Sequence, residues 1–367
     1  MKLRGLCANL TLTASSTLIG LLIINQALIY LANNNNQRHG FPRKYLTYFE
    51  PVARWKYPDY DNSDAKPDAT FIVGDSYAEG AGDSFLNNAY NYSIAHFLDD
   101  NWRQNTNIYL TANSGSNIPL QLSLLKKHLR GELIPLSIPP KGFKNLNVIL
   151  YFYEGNDLEN TATSKLLPFQ SWQSRLRLSF PIIYAKRIAL GTLKNKFLKS
   201  KSKHLSPSSS NKNKICVGAT CRSSPPMQSA SAGLSEKQIF EEIDYLVDSI
   251  NYFSLEYPKA KMCLIYIPSP STIYSPKGEY YYQIYSVHQS NSNTTTNSTS
   301  NNSKSLLIRG TLQNRLNPNS ITFIDATNDL KRESLKKFLH GTKDPKHFTA
   351  YGYRIVADAT TKGCPID

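Results

Sequence analysis

The chain is 367 residues long and 40% apolar, enough for one moderately large domain with a full core and appended segments. Its formal net charge of +15 would attract nucleic acid or anionic lipid, but no nucleic-acid motif accompanies this charge, so we predict no nucleic-acid partner. The sequence lacks a Walker loop, a Gly-x-Gly-x-x-Gly run, a Gly-x-Ser-x-Gly elbow and a closely spaced His/Cys cluster, which argues against a nucleotide-dependent or metal-dependent enzyme. We therefore predict no cofactor and no metal.

Residues 1–32 are predicted to anchor the chain in a membrane. No charged residue occurs from position 6 to position 37, and the apolar stretch within this range reaches the roughly 20 residues that a bilayer crossing needs. Lys2 and Arg4 also suit a cleaved signal peptide, but the small-x-small cleavage pattern is missing, which favours an uncleaved single helix. Basic residues after the span nearly balance those before it, so charge leaves the orientation open. Residues 33–68 are interpreted as a linker.

Three apolar runs, each followed by a polar turn, predict parallel strands that lead to one site. The runs are 69–73, 108–112 and 148–153, and the turns are Gly74-Asp75-Ser76, Asn113-Ser114-Gly115 and Gly155-Asn156-Asp157. Ligands of an open parallel α/β sheet bind outside the carboxyl ends of the strands. We therefore expect the three turns to lie close together, although they are distant in sequence.

The middle of the chain alternates predicted elements with two segments of unusual composition. A helix is predicted over 236–255, and strands over 262–267 and 321–325. Residues from about 160 to 235 contain 13 basic residues and no acidic one, and they are interpreted as a basic low-complexity insertion. This insertion could meet anionic lipid, bind an acidic polysaccharide, cover the site or remain simply solvated. Residues from about 288 to 305, rich in Asn, Ser and Thr, are predicted to be a solvated loop without a packed core.

Near the C-terminus, Asp344 and His347 precede a segment with apolar positions at helical spacing. Imidazole titrates near neutral pH and can accept a proton from a serine, while a carboxylate can hold its other nitrogen. Together with Ser76, these residues predict a nucleophile, a base and an orienting acid. Each has a simpler reading as well, since Ser76 or Asn156 could cap a turn or helix and His347 could bind a local carbonyl.

Four cysteines remain outside the predicted anchor. Their even number is compatible with pairs Cys216–Cys221 and Cys263–Cys364 in an oxidising compartment. Free buried thiols are an equally open interpretation. Together with the anchor, the cysteines favour a domain outside the cytoplasm, in a periplasm or cell envelope.

Taken in order, the motifs of residues 69–359 resemble those of the SGNH (GDSL-type) hydrolases, a family of serine esterases, lipases and carbohydrate acetylesterases. The first block of that family, Gly-Asp-Ser-x-x-x-Gly, is matched by residues 74–80 with Tyr77 in place of leucine. The resemblance implies a flavodoxin-like three-layer α/β sandwich with a central parallel sheet of about five strands. The hydrolase domain would cover residues 69–367.

The resemblance also implies a role for each motif. Ser76 would be the nucleophile, His347 the general base and Asp344 its partner. Ser76, Gly115 and Asn156 would form the oxyanion hole, and Tyr77 and Asp157 would contact the substrate.

The implied reaction is hydrolysis of an ester, with an O-acetyl group on an envelope or extracellular glycan as the expected substrate. Transfer of the acyl group to a sugar hydroxyl is the nearest alternative, because the same acyl-enzyme serves both reactions. A lipase or lysophospholipase at the membrane surface and a glycan-binding subunit without activity also remain open.

Overall fold

The computed structural model describes residues 16–17, 19–20, 53–54, 68–83, 92–102, 106–112, 115–130, 144–158, 213–217, 220–224, 230–231, 233–274, 279–284, 292–342, 344–364 and 366. The chain divides into two units, Met1–Phe49 with Phe169–Ser209, and Glu50–Pro168 with Ser210–Asp367. Every strand and helix named below belongs to the second unit.

Ten strands are present among the described residues. They are β1 Ala53–Arg54, β2 Asp68–Gly74, β3 Thr106–Ala112, β4 Leu146–Tyr153, β5 Asn213–Val217, β6 Thr220–Ser224, β7 Lys261–Ile267, β8 Glu279–Ile284, β9 Ser292–Asn297 and β10 Ile321–Asp325. Six of them form the central sheet in the order β1-β3-β2-β4-β7-β10, while β5-β6 and β8-β9 are separate antiparallel pairs. Strand β1 is antiparallel to β3, and the other five strands of the central sheet are parallel. The predicted sheet of five parallel strands is confirmed.

Eight helices accompany these strands in the described part of the second unit. They are α1 Ser76–Glu79, α2 Ile94–Trp102, α3 Ile118–Leu129, α4 Glu236–Glu256, α5 Pro270–Tyr274, α6 Ser298–Arg315, α7 Thr327–Ser334 and α8 Ala350–Gly363. Helix α4 begins with a capping box in which Ser235 and Gln238 satisfy each other's backbone donors. The predicted helices over 236–255 and after His347 are both confirmed.

The central sheet is covered on both faces, as its nearly continuous apolar strands require. On β2, Ile72 faces a core shared with α2 and α8. Its neighbours Phe71 and Val73 face the opposite core, which α3, α4 and α6 share. Along the sheet the five parallel strands follow the order β3-β2-β4-β7-β10, which is 2-1-3-4-5 when they are counted in chain order. The strand order therefore reverses at β2, which has β3 on one side and β4 on the other. Such a reversal opens a crevice at the carboxyl ends of these strands.

The segment of Asn, Ser and Thr residues corrects one prediction. Residues 292–297 form β9 and residues 298–305 form the first half of α6, rather than a loop without a packed core. The second half of α6 explains the difference, because Ile308 and Leu312, with Leu316 just beyond the helix, are spaced at helical intervals and are buried against α4. These apolar residues hold a helix that continues back into the polar residues, where Ser305 is buried.

Both pairs of cysteines are bonded as disulfides. Cys216–Cys221 links β5 to β6, a hairpin that lies within the predicted low-complexity insertion. Cys263–Cys364 joins β7 to the end of α8 across a sequence separation of 101 residues. The second disulfide fixes the helix that follows His347 to a central strand of the sheet.

The predicted anchor lies outside the described residues, apart from four helical positions at 16–17 and 19–20. Among the helices that the structure describes, none is both long and apolar enough to cross a membrane. Most of the basic insertion, from 159 to 212, also lies outside the described part of the chain.

Candidate active site

The serine of the first turn lies where β2 ends and α1 begins. Gly74 passes so close to β4 that an added Cβ would lie 2.9 Å from the carbonyl oxygen of Tyr151 and 2.8 Å from Cβ of Ala78, so only glycine fits. Asp75 caps α1, with its carboxylate accepting the backbone N–H of Tyr77 at 2.9 Å. The strand and the capped turn together hold Ser76 at the carboxyl edge of the sheet.

Ser76, His347 and Asp344 form a continuous hydrogen-bonded chain. Nε2 of His347 lies 2.9 Å from Oγ of Ser76, and Nδ1 lies 2.7 Å from Oδ2 of Asp344. When Nδ1 carries the proton that binds Asp344, Nε2 is left to accept the proton of the serine hydroxyl. Residues separated by 271 positions in the sequence are therefore brought into the order that a nucleophile and its base require.

The charges around this chain favour an ionised Asp344. Burial acts to raise the pKa of Asp344, but the hydrogen bond and the charge of His347, helped by Lys346, outweigh it and hold that pKa below its ordinary value. Asp75 behaves differently: burial raises the pKa of its carboxyl, against the hydrogen bond from Tyr77 and the nearby His347. The hydroxyl of Ser76 can also donate to Oδ2 of Asp75, at 3.2 Å. Asp344 is thus suited to stabilise a protonated imidazole.

Residues that follow Ser76 in the sequence make hydrogen bonds to the loop that carries Asp344 and His347. The carboxylate of Asp83 accepts the backbone N–H of Asp344 at 2.5 Å and that of Thr342 at 2.7 Å. The hydroxyl of Tyr77 donates to the carbonyl oxygen of Lys346. Asp83 was not predicted from the sequence; the Gly-Ala-Gly run directly before it was the available sign of a close backbone approach.

The two other turns border the same edge. Oγ of Ser116, next to Gly115, donates to the carbonyl oxygen of Gly74 at 3.2 Å, which ties the turn after β3 to the end of β2. Gly115 itself is exposed and has a φ of 75°, a conformation that favours glycine. Beyond β4, Asn156 is half-buried, and its Oδ1 has no hydrogen-bond partner among the described residues. Gly115 and Asn156 therefore lie beyond the two strands on either side of β2, as the strand order predicts.

The two residues predicted to contact the substrate, Tyr77 and Asp157, are both buried and make contacts within the fold. The side chain of Tyr77 is buried and stacks on Tyr153, with ring centroids 3.9 Å apart. Asp157 is also buried, and its Oδ2 accepts the backbone N–H of Tyr153 at 2.8 Å. Tyr77 thus packs between Tyr153 of β4 and the His347 segment, and Asp157 closes the turn that carries Asn156.

A second polar cluster, also missed by the sequence analysis, lies at the end of β4. Glu154 is fully buried, and four hydroxyl groups donate to its carboxylate; they belong to Tyr266, Ser269, Thr272 and Ser305. We call this group the Glu154 cluster. The available sign was an acidic residue directly after the apolar run 148–153. Across the described residues, no group of three or more His, Cys, Asp or Glu side chains could hold a metal ion.

Comparison with known proteins adds two weak structural similarities. Neither a family model nor a curated protein matches the sequence. Among solved structures, LAE5, an α/β hydrolase from the metagenome of Lake Arreo, is 11% identical over 82% of this chain and 96% of its own, with a TM-score of 0.36. A Streptococcus pneumoniae protein described as a platelet activating factor is 10% identical over 95% of this chain and 97% of its own, also with a TM-score of 0.36. Similarities at this level are too weak to carry an argument about function.

Proposed function

We propose that the protein is a serine hydrolase of the SGNH type that cleaves an ester through an acyl-enzyme on Ser76. The observation that carries this proposal is the chain of contacts from Oγ of Ser76 to His347 at 2.9 Å and from His347 to Asp344 at 2.7 Å. A serine hydroxyl is a weak nucleophile unless a neighbouring base removes its proton. His347 is within reach of that proton, and Asp344 can stabilise the imidazolium that results.

In the proposed first half-reaction, Oγ of Ser76 attacks the carbonyl carbon of the ester while Nε2 of His347 takes the serine proton. The carbonyl oxygen becomes negatively charged. As this intermediate collapses, the bond to the alcohol breaks, and the departing oxygen receives the proton from Nε2. In the second half-reaction, water attacks the acyl-enzyme with His347 again acting as base, which releases the acid and restores Ser76.

Three donors are proposed to stabilise the negative oxygen: the backbone N–H groups of Ser76 and Gly115 and the side-chain amide of Asn156. The contact from Ser116 to Gly74 and the position of Asn156 beyond β4 support this assignment. Removal of one such donor typically lowers kcat by about 100- to 1,000-fold. We expect Asn156→Ala to show a loss of this size.

For the substrate we propose an O-acetyl group on a glycan of the cell envelope or extracellular space. This choice rests on the sequence resemblance to carbohydrate esterases. We further propose that residues 1–32 anchor the protein in a membrane, with the catalytic domain outside the cytoplasm. The two disulfides support this location, because such bonds persist in oxidising compartments.

The location is tested by trapping free thiols in the full chain at the moment its host cells are lysed. Mass spectrometry should find the four cysteines outside the anchor protected as two disulfides. Alkylated Cys263 and Cys364 would contradict an oxidising location.

The reaction is tested with the full chain in an ester-free detergent, using p-nitrophenyl esters of increasing acyl length and an acetylated glycan. We expect acetyl esters to be cleaved faster than long-chain esters, with no cleavage by Ser76→Ala. A preference for long chains would replace the glycan substrate with a lipid. Acetyl transfer to an added oligosaccharide would identify an O-acetyltransferase, and glycan binding without turnover or an acyl-enzyme would contradict the catalytic proposal.

A further inference from the structure

The carboxylate of Asp83 connects the segment that carries the nucleophile to the loop that carries the base. Asp83 follows Ser76 by seven positions in the sequence. Its Oδ1 accepts the N–H of Asp344 at 2.5 Å, and its Oδ2 accepts the N–H of Thr342 at 2.7 Å and the hydroxyl of the same residue at 3.2 Å. One side chain therefore receives three donors from the loop that precedes His347.

Two glycines allow this close approach. A Cβ on Gly341 would lie 2.5 Å from Cγ and Oδ1 of Asp83, so any larger residue would displace the carboxylate. A Cβ on Gly82 would lie 2.5 Å from the carbonyl oxygen of Phe348 and 3.4 Å from Cβ of His347. The segments before and after the His347 loop are thus in direct contact with the Gly82-Asp83 turn.

The loop around Asp344 is partly open to solvent, with 23% of the Asp344 side chain and 19% of the His347 side chain exposed. The contacts between Asp344 and His347 fix these two residues relative to each other, but they do not fix the pair relative to Ser76. The bonds that Asp83 accepts do so, together with the bond from Tyr77 to Lys346, because Asp83 and Tyr77 both belong to the segment that begins at the serine. A charged acceptor makes these bonds stronger than a neutral one would.

We propose that Asp83 is a positioning residue that sets the distance between the imidazole of His347 and Oγ of Ser76 by holding the backbone of Asp344. This inference rests on the proposed function. Loss of the carboxylate keeps Ser76, His347 and Asp344 in the protein, but it lets the loop that carries Asp344 and His347 shift relative to Ser76. A displacement of about 1 Å at a reacting group can lower the rate by about 100-fold.

The test compares four variants of the full chain with the wild type. Asp83→Ala removes the carboxylate, and Asp83→Asn keeps one oxygen acceptor without the charge. Gly341→Ala displaces the carboxylate while leaving Asp83 in the chain. The matched control is Asp68→Ala, which removes a carboxylate that accepts both contacts from Asn145 at the opposite end of β2. For each protein we would measure kcat and KM on p-nitrophenyl acetate, the rate of labelling by a fluorophosphonate, and the melting temperature.

We expect Asp83→Ala and Gly341→Ala to lower kcat and the labelling rate by about 100-fold with KM nearly unchanged, because the lost interaction acts at the transition state. Asp83→Asn should recover part of this loss, and Asp68→Ala should keep the wild-type kcat. An active wild type with kcat unchanged in Asp83→Ala would overturn the inference and leave the proposed function standing. Equal losses in Asp83→Ala and Asp68→Ala would also overturn it, since they would indicate general destabilisation. A wild type that neither labels nor turns over would contradict the proposed function and this inference with it.

Discussion

The carboxyl ends of β2 and β4, neighbours in the central sheet, carry two polar clusters with opposite properties. At the end of β2, Ser76 contacts an imidazole, and about a fifth of the His347 side chain reaches solvent. At the end of β4, the serines of the Glu154 cluster contact a carboxylate that is fully buried. Both clusters contain serine hydroxyls and a carboxylate, but only the first has an imidazole, that of His347, between a serine and a carboxylate.

This difference distinguishes a cluster that can activate a serine from a cluster that stabilises the fold. A carboxylate is too weak a base to take a proton from a serine hydroxyl, whereas imidazole titrates near neutral pH. The buried side chain of Glu154, surrounded by four hydroxyl donors, instead satisfies the requirement that a buried polar group be hydrogen-bonded. Its donors come from β7, α6, α5 and the residue just before α5, so the cluster joins these elements to the turn that carries Asn156.

The largest effect should follow from breaking the first cluster. We expect Ser76→Ala and His347→Ala each to lower kcat for ester hydrolysis by about 10,000-fold or more, as in other enzymes where the nucleophile and base act as a unit. The double variant should be no slower than either single variant. Steady-state kinetics on p-nitrophenyl acetate measures this, and additive losses would show that the two residues act separately.

The Cys263–Cys364 disulfide provides the corresponding test of what stabilises the fold. Replacing Cys263 and Cys364 together with alanine should lower the free energy of unfolding by about 2–5 kcal/mol, because the bond closes a long loop. The matched variant without Cys216 and Cys221 should lose less, since its loop spans only 5 positions. Urea titration followed by circular dichroism compares the two. Equal losses would mean that loop length does not govern their contribution.

The Glu154 cluster should affect stability more than chemistry. We expect Glu154→Ala to lower the free energy of unfolding by about 3 kcal/mol, because four buried hydroxyls lose their acceptor. Glu154→Gln should cost less, since it keeps one acceptor oxygen. Thermal melts of the two variants check the order. A stable Glu154→Ala protein that has lost turnover would remove the distinction between the two clusters.

The smallest effect concerns pH. Because burial raises the pKa of Asp75 in the folded state, wild-type stability should fall as pH rises from the ordinary value of 3.8 toward the raised value. Asp75→Asn lacks this titration and should keep the cap on Tyr77. The stability of the variant relative to the wild type should therefore increase above about pH 4. Melting temperatures between pH 4 and pH 8 measure the trend, and a constant difference would contradict the raised pKa.

Much of the fold follows from local patterns in the sequence. The strand predicted over 321–325 has the bounds of β10, and Ser76, Asp344 and His347 were predicted together because they stand next to predicted strands and helices. The three are indeed in contact. Local patterns suffice where a residue's place is set by the element beside it.

They do not suffice where the partners are distant. The donors to Asp83 lie more than 250 positions away in the sequence. Two of them are backbone N–H groups, which nearly every residue carries, so the sequence gives no sign of them. Composition also failed at residues 298–305, because the apolar residues that stabilise this part of α6 lie further along the helix. Long-range contacts in both cases override the local signal.

The central claim is tested most directly by treating the full chain with a fluorophosphonate and mapping the modified peptide by mass spectrometry. A single adduct on Ser76 is expected in the wild type, strongly reduced in His347→Ala and missing in Ser76→Ala, while Ser269 and Ser305 beside Glu154 stay unmodified. An unmodified wild-type protein, or an adduct on a serine of the Glu154 cluster, would contradict the assignment of Ser76 as the nucleophile.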